Sequence, residues 1–433
     1  MKKPQKPMSN KPPGLKVIGS IDLHPPDVRL LRSITLRNIL SFGPDTPELE
    51  LRALNVLIGP NGSGKSNFVD CIGLLQSAPD KLANTVRTEG SVQAWLWKGS
   101  KHPTAHVEAV VSPLDKNRPA LRHWFEFRES ASRFELAEER IEAAEIDKKL
   151  SKDKPFLFFG NEGGRTMLNV NMTDLAEPAS GKGKPKSVNQ RALQREEIDP
   201  ELSILSQRKD LHFYPELTYL GEMYGQIRLY RDWVFGRNNP ARRPQPADSP
   251  GNYLREGGEN LAMMLNQLRR EPEVKARLVA LLNELYEDIE DYETFVQANY
   301  VELFLREGKK LISATRLSDG TLRYLYLLAI LLNPTPPPLI CLEEPELGLH
   351  PDVIVAVGKL IKEASTRTQM IVTTHSRILI DCFQDSPEDV VVVNKENGVT
   401  YMERLDPEKL SAYLDKYSLS NLWSSGDIGG NRW

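Results

Sequence analysis

The sequence predicts an α/β fold in which a glycine-rich loop and a pair of adjacent acids meet at the C-terminal edge of a sheet. Three observations predict it. The segment GPNGSGKS, Gly59 to Ser66, follows the apolar run LNVLI and opens the helical pattern NFVDCIGLL. A second apolar run, Leu339 to Leu342, ends in Glu343 and Glu344. The last third of the chain then alternates strand, helix and strand through PLICLEE, QMIVTTHS and DVVVVNK. Short apolar runs bounded by polar turns read as buried strands, and open α/β sheets take their ligands where such strands end.

Taken in order, a basic, Pro-rich stretch (MKKPQKPMSNKPPG) lacks the apolar core of a signal peptide and is expected to be a disordered tail over residues 1–28. LRSITLRN and LELRALNVLIG read as strands, and HVEAVVS (106–112), HWFEFRES (123–130) and RTMLNV (165–170) follow. The charged segment 136–150 fits a solvated helix or a strand edge as well as it fits a coiled coil, and 178–188 (PASGKGKPKSV) is a low-complexity basic loop. Helical spacing then dominates at 216–233, 259–270 and 274–289. A strand pair after Thr294 leads into an apolar helix from Ser318, and further helices are expected at Val353–Ser365 and Ile378–Phe383.

Composition narrows the function classes. Lys and Arg number 56 against 59 Asp and Glu, a net charge of −3, which argues against nucleic-acid binding by bulk charge. Cys71, Cys341 and Cys382 are scattered and include no CxxC, so neither a disulfide framework nor a zinc site is expected, and a cytoplasmic setting is. No apolar run approaches the ~18–20 residues that span a bilayer, so no membrane partner is expected.

GPNGSGKS fits G-x-x-x-x-G-K-[ST] in the strand-to-helix context the motif requires. Its glycines let backbone N–H groups turn inward around phosphate oxygens, and the helix N-terminus adds positive charge. Lys65 is expected to reach the β- and γ-phosphates, and Ser66 to help hold Mg²⁺. Glu343 then orients that cation, directly or through water, while Glu344 polarises an attacking water. LSDGT, Leu317 to Thr321, opens a helix, and its Ser318–Gly320 turn is a second anion cradle. His375 ends the strand IVTTHS within reach of a γ-phosphate or the water.

With these motifs in this order, the sequence resembles the ATP-binding-cassette ATPases of the RecF and SMC type over roughly residues 30–130 and 290–400. GPNGSGKSN, including Asn61, Gly62, Ser63, Gly64 and Asn67, matches their phosphate loop, LSDGT their signature, LICLEEP their acidic strand, and TTHS their switch histidine. ELGLHP matches the loop that meets a partner subunit, and ITLRNILSF their first strands. The finer resemblance is to stand-alone bacterial RecF-like ATPases related to the ATPase half of overcoming-lysogenisation-defect nucleases, carried by LSDGTLRYLYL, EEPELGLHP and the closing LDKYSLSNLWSSGDIGG. Two departures stand out: Glu343 replaces the commoner Asp, and Asp319 and Thr321 replace Gly and Gln of the signature. The magnesium-sensing glutamine of such relatives has two candidates, Gln76 and Gln93.

The resemblance implies a head with a mixed sheet and an antiparallel β lobe, split into halves at 29–130 and 291–433 by an inserted, mainly helical lobe at 131–290. It also implies a homodimer closed around two ATP molecules, with Ser318 and Gly320 reaching the partner's γ-phosphate. Such an ATPase would switch a separately encoded effector, for example a TOPRIM-type nuclease, in anti-phage defence or DNA transactions. The alternatives are a DNA-repair clamp that itself binds DNA and an ATP-binding scaffold without turnover. Only 58 residues (433 − 375) follow His375, with no DxD pair, so no nuclease domain is expected there. The stretch IRLYRDWVFGRNNPARRPQ interleaves Arg228, Arg231, Arg237, Arg242 and Arg243 with Tyr230, Trp233 and Phe235. It reads either as a track for nucleic acid or as aromatics in a core with arginines paired to nearby acids.

Overall fold

Three sheets organise the chain in the computed structural model, which describes residues 27–429 except 89, 102, 147–152, 163–164, 171–188, 194–198 and 200. Nearly all of the expected N-terminal tail and the basic loop 178–188 lie outside the described residues.

The first sheet is antiparallel, with order β2 (Leu49–Glu50), β1 (Leu31–Arg37), β4 (Ala105–Val111), β5 (Leu121–Ser130), β6 (Arg133–Ala143), β7 (Leu157–Glu162), β8 (Arg165–Val170) and β9 (Asn189–Leu193). Along β4 burial alternates residue by residue, the signature of a sheet with one face on the core. The second sheet has order β10 (Arg228–Tyr230), β15 (Leu339–Glu343), β16 (Gln369–Thr374), β3 (Leu54–Ile58), β17 (Val390–Glu396) and β18 (Val399–Arg404). Its first five strands run parallel and β18 returns antiparallel. Every residue of β3 and β16 is buried, as expected of strands covered on both faces. The third sheet joins β11 (Gln245–Pro246), β12 (Ile289–Gln297) and β14 (Lys310–Ser313) to the central β13 (Tyr300–Glu307).

Helices fill both sides of the parallel sheet: α1 (Lys65–Ser77), α2 (Leu82–Thr88), α3 (Val92–Trp95), α4 (Ile204–Gln207), α5 (Pro215–Gly225), α6 (Leu261–Leu268), α7 (Pro272–Leu285), α8 (Asp319–Leu331), α9 (Pro351–Ala364), α10 (Arg377–Asp381), α11 (Pro407–Leu414) and α12 (Leu419–Ser425). Because successive strand residues point to opposite faces, the parallel sheet separates two cores. Leu57, Leu339, Cys341 and Ile371 join the core shared with α1, α5 and the first sheet. Val56, Ile340, Leu342 and Val372 join the core shared with α6, α8 and α9. A buried side chain ties the first two sheets together: Gln369 Oε1 accepts from Leu31 N (2.8 Å), and its Nε2 donates to Leu31 O (2.7 Å) and Arg52 O (3.0 Å).

The mixed α/β class expected from the sequence is the one observed. Two local expectations are corrected. The helix expected over 216–233 stops at Gly225, and Arg228–Tyr230 pairs in parallel with Ile340–Leu342 instead. The ladder offered by a buried neighbouring strand overrides helical spacing here. Residues 136–143 of the charged segment are neither helix nor edge, because they lie in β6 between β5 and β7. Two of its acids are matched: Glu142 meets Arg122 and Arg140, and Glu139 accepts from Ser203 Oγ (2.5 Å) and Ile204 N (2.7 Å). The segment 131–290 is threaded through all three sheets, supplying β6 to β9, β10 and β11 as well as α4 to α7. Among the described residues, no helix is long and apolar enough to cross a membrane.

Candidate functional site

Strand register sets the site. Glu343 stands opposite Thr373, Thr373 opposite Leu57 and Thr374 opposite Ile58, so β15, β16 and β3 end level. The loops that leave these ends carry the glycine-rich segment, Glu344 and His375.

The glycine loop is shaped by two close approaches. Gly64 has φ +113°, and a Cβ there would lie 2.3 Å from Thr400 Oγ1 and 2.9 Å from Ser41 Oγ. A Cβ on Gly59 would lie 2.1 Å from Val393 O. Thr400 props the loop by donating to Ser63 O (2.7 Å), and Asn67 Nδ2 donates to Ser41 Oγ (2.7 Å). Lys65 folds back over the loop, donating to Gly59 O (2.8 Å) and Pro60 O (3.1 Å). Burial brings the Lys65 ammonium down to about 8, against the opposing pull of Glu344, Glu343 and Glu346.

The two adjacent acids reach the same cleft by a backbone device. Consecutive strand residues point to opposite faces, but Glu344 adopts φ +46°, a left-handed conformation rare for a side-chain-bearing residue. Its amide is held by Thr373 O (3.0 Å) and Thr373 Oγ1 (3.2 Å), and its carbonyl accepts from Arg323 Nη2. The turn leaves Glu343 Oε1 accepting from Ser66 Oγ and puts Glu344 Oε1 3.6 Å from His375 Nε2. Burial, then the Lys65 charge, holds the His375 imidazole below its usual range, with Glu344 pulling the other way.

A cleft of about 300 Å³ opens here, lined by Asn61, Gly62, Gly64, Lys65, Ser66 and Asn67 on one side and Glu344, His375 and Lys395 on the other. Gly59 and Ser63 lie behind this wall, and Glu343 touches it through Ser66. Ser318 and Gly320 do not line it. The Ser318 hydroxyl caps α8, accepting from Thr321 N (3.0 Å), and Asp319 accepts from Gly236 N (2.9 Å) and Arg242 Nη2 (2.7 Å). Arg242, first among the causes, holds the Asp319 carboxyl below the usual carboxylate range. Neither candidate glutamine lines the cleft: Gln76 donates to Ile227 O and Glu256 Oε1, and Gln93 to Glu129 Oε2.

The basic–aromatic stretch is largely spent inside the molecule. Arg231 pairs with Asp70, Arg242 with Asp319, and Arg228 donates to Gly225 O and Ile227 O. Tyr230 is buried, its hydroxyl on Leu254 O (2.8 Å), and Trp233 Nε1 donates to Glu343 O (2.9 Å). Arg237 and Arg243 are exposed.

Sequence reasoning assigned no role at this site to Lys395, Thr400, Ser41, Thr373 or Arg323, and noted Trp233 only within the basic–aromatic stretch. Thr373, Arg323 and Ser41 sit inside the quoted motifs, but their contacts at the site come from strand pairings and helix contacts that spacing does not reveal.

The residues present fit a nucleoside triphosphate with a divalent cation. The loop has no room for Cβ atoms at Gly59 and Gly64, the Ser63 hydroxyl is buried without a partner, and the Ser66–Glu343 oxygens are adjacent. Among the described residues no group of three or more His, Cys, Asp or Glu could hold a metal. A magnesium ion held by one or two protein oxygens plus phosphates needs no such cage.

Comparisons with known proteins agree with this geometry. A 131-residue segment is 29% identical to the chromosome partition protein Smc of Mycobacterium tuberculosis and a similar one 27% identical to that of Mycolicibacterium paratuberculosis, covering 28% of this chain. That is about a tenth of the length of those relatives (10% and 11%). Among solved structures, an SMC head bound to the C-winged helix domain of ScpA superposes with a TM-score of 0.52 at 14% identity, covering 88% of this chain and 99% of that one. This likeness shows an SMC-head type of α/β ATPase fold. The profile of the AAA_21 family, described as "AAA domain, putative AbiEii toxin, Type IV TA system", matches residues 54–381, and the chain belongs to that family of ATPases.

Proposed function

We propose that the protein is an ATP-hydrolysing switch in which two copies close around two nucleotides. One observation carries it: the signature turn does not line the cleft that gathers the residues of hydrolysis. Lys65, Ser66, Glu344 and His375 converge on one cleft, while Ser318 and Gly320 stand outside it. In this reading a single copy holds half of each of two sites, and a twofold pairing completes both.

In this reading Lys65 leaves Gly59 O and Pro60 O to meet the β- and γ-phosphates. Asn61, Gly62, Ser63, Gly64 and Asn67 supply the cradle, and Ser66 and Glu343 hold Mg²⁺. The magnesium ion supplies charge neutralisation on the phosphate oxygens. Glu344 orients the attacking water and accepts its proton. His375, kept neutral by its surroundings, donates a hydrogen bond toward the γ-phosphate. Ser318 and the Gly320 amide of the second copy meet the same phosphate. Catalysis is by positioning and charge stabilisation, as in phosphoryl transfer generally.

The output is read as control of a separately encoded effector, such as a TOPRIM-type nuclease, in a genome-defence module. Support comes from the resemblance to the ATPase half of overcoming-lysogenisation-defect nucleases and from the family's description, which names a toxin–antitoxin system. The reading as a clamp that itself grips DNA draws less support, since Arg228, Arg231 and Arg242 are engaged within the chain.

The test is mass by light scattering, with and without ATP–Mg²⁺, on the wild type and on Glu344→Gln. The expected result is a variant that binds ATP, does not hydrolyse it and accumulates as a dimer or larger. Hydrolysis that survives the substitution, at constant mass, overturns the reading.

A further inference from the structure

Two buried polar atoms beside the site have no partner, and their chemistry is complementary. One is Glu346 Oε2 and the other Arg323 Nη1. Their residues are otherwise fully employed. Glu346 Oε1 accepts from Thr374 Oγ1 (2.6 Å), His375 N (3.0 Å) and Ser376 N (3.1 Å), so one carboxylate oxygen anchors the whole His375 loop. Arg323, 2% exposed, rises from α8 one turn after Gly320. It donates to Glu344 O and Pro345 O, and its guanidinium lies 4.0 Å over the Trp233 ring and 5.5 Å from the Phe235 centroid.

A buried, unpaired charge is costly, and the cost falls when an opposite charge with a free hydrogen-bonding position moves into contact. Burial pulls the Arg323 guanidinium down to about 9, and Glu346 is the largest charge acting against that pull. Yet the two side chains do not come within the 4.0 Å of an ion pair. The acceptor that holds the histidine loop and the donor that rises from the signature helix face the same short loop, 344–346, with one empty valence each.

We propose that Glu346 and Arg323 are a pair of positioning residues that closes into a direct ion pair when nucleotide fills the cleft, fastening the His375 loop to the start of α8. Lys65 must leave its carbonyl partners to reach a phosphate, which moves the cation that acts on Glu344 and Glu346. The pair links the residues that face a chain's own nucleotide to the turn that faces its partner's nucleotide. This last consequence rests on the two-copy reading above, whereas closure of the pair within one chain does not.

The experiment uses the full chain carrying Glu346→Gln, Arg323→Lys, or both. Glutamine keeps an acceptor for the His375 and Ser376 amides, and lysine keeps a buried cation. Binding of a fluorescent ATP analogue, amide hydrogen exchange of the 374–376 segment with and without ATP–Mg²⁺, and kcat and KM are measured on each. In the wild type, nucleotide slows exchange at 374–376. Each single variant is expected to lose that nucleotide-dependent slowing and to lower kcat about tenfold at unchanged KM, the scale of coupling between linked residues. The double variant is expected to fall about tenfold as well, not a hundredfold, because the same contact is lost once. Slowing that survives in Glu346→Gln, or losses that multiply in the double variant, would overturn the pair. Should Arg323→Lys fail to fold, hydrogen exchange in Glu346→Gln decides alone. A wild type that stays monomeric with ATP–Mg²⁺ removes the two-copy reading and leaves the exchange result to judge the pair.

Discussion

Gly62 and Gly64 sit two residues apart in one loop, both at positive φ, and an alanine at each is expected to behave differently. At Gly62 (φ +74°) an added Cβ meets nothing within 4 Å. Its cost is the left-handed backbone alone, about 1 kcal/mol, part of which the stiffer unfolded chain returns. At Gly64 (φ +113°) the same atom lands 2.3 Å from Thr400 Oγ1 and 2.8 Å from Thr400 Cγ2. Thr400 is on β18, fully buried, and cannot retreat without giving up Ser63 O and Ser41 Oγ. Losing such buried hydrogen bonds costs about 1–3 kcal/mol beyond the backbone term. Gly64→Ala is therefore expected to be destabilised by about 2–5 kcal/mol, and Gly62→Ala by about 1 kcal/mol or less. Urea unfolding followed by fluorescence gives both midpoints, and titration with a fluorescent ATP analogue reports the loop itself. Adding Thr400→Ala to Gly64→Ala removes the two closest clashing atoms and leaves Ser41 Oγ at 2.9 Å, so the double variant should be more stable than the sum of the two single losses predicts. Equal midpoints for the two glycine variants, or strict additivity in the double, would refute the steric reasoning.

Lys65→Ala is expected to lower affinity for the ATP analogue more than a hundredfold without lowering the urea midpoint, because a buried ammonium is a burden in the empty loop; a lost midpoint would make Lys65 a structural strut. Gln369→Leu takes the side-chain partner from buried Leu31 N and Leu31 O, while Arg52 O keeps Asn55 Nδ2, and unfolding should show a loss of about 2 kcal/mol or more. Trp233→Phe keeps a ring for Arg323 but loses the bond to Glu343 O, a cost of about 1 kcal/mol, whereas Trp233→Ala should cost about 3 kcal/mol or more. A ranking of Phe below Ala in stability would refute that division.

Much of the site was legible because its chemistry is local. The glycine spacing, the lysine and serine after it, the paired acids and the strand-end histidine each announce themselves within a few residues. The strand–helix alternation of the last third was legible for the same reason: an apolar run of five, or a helical stripe such as that of α9, needs no distant partner to be recognised. What stayed hidden depends on pairings far along the chain. Residues 228–230 carry aromatic and basic side chains with helical spacing, and only the offer of a ladder along β15 makes them a strand. Segment 136–143 looked solvated because its charges are visible in sequence while their partners, His123, Arg122 and Ser203, come from elsewhere. The left-handed turn at Glu344, which brings both acids to one cleft, has no glycine to betray it.

The order of strands also has a consequence in time. The glycine loop emerges early in synthesis, but β3 lies between β16 and β17, and the hydroxyl that props the loop belongs to Thr400, 337 residues after Ser63. An emerging chain therefore carries a finished phosphate-binding motif whose strand has no neighbours in its sheet until nearly every other element has been made. During that wait the apolar LNVLI run is an unpaired strand, the kind of surface that draws nascent chains into wrong company. Closure of so long a loop is also slow. A ribosome stalled at any codon before Thr400 is expected to hold a chain with weakened ATP binding, so nucleotide binding reports that synthesis has passed β18.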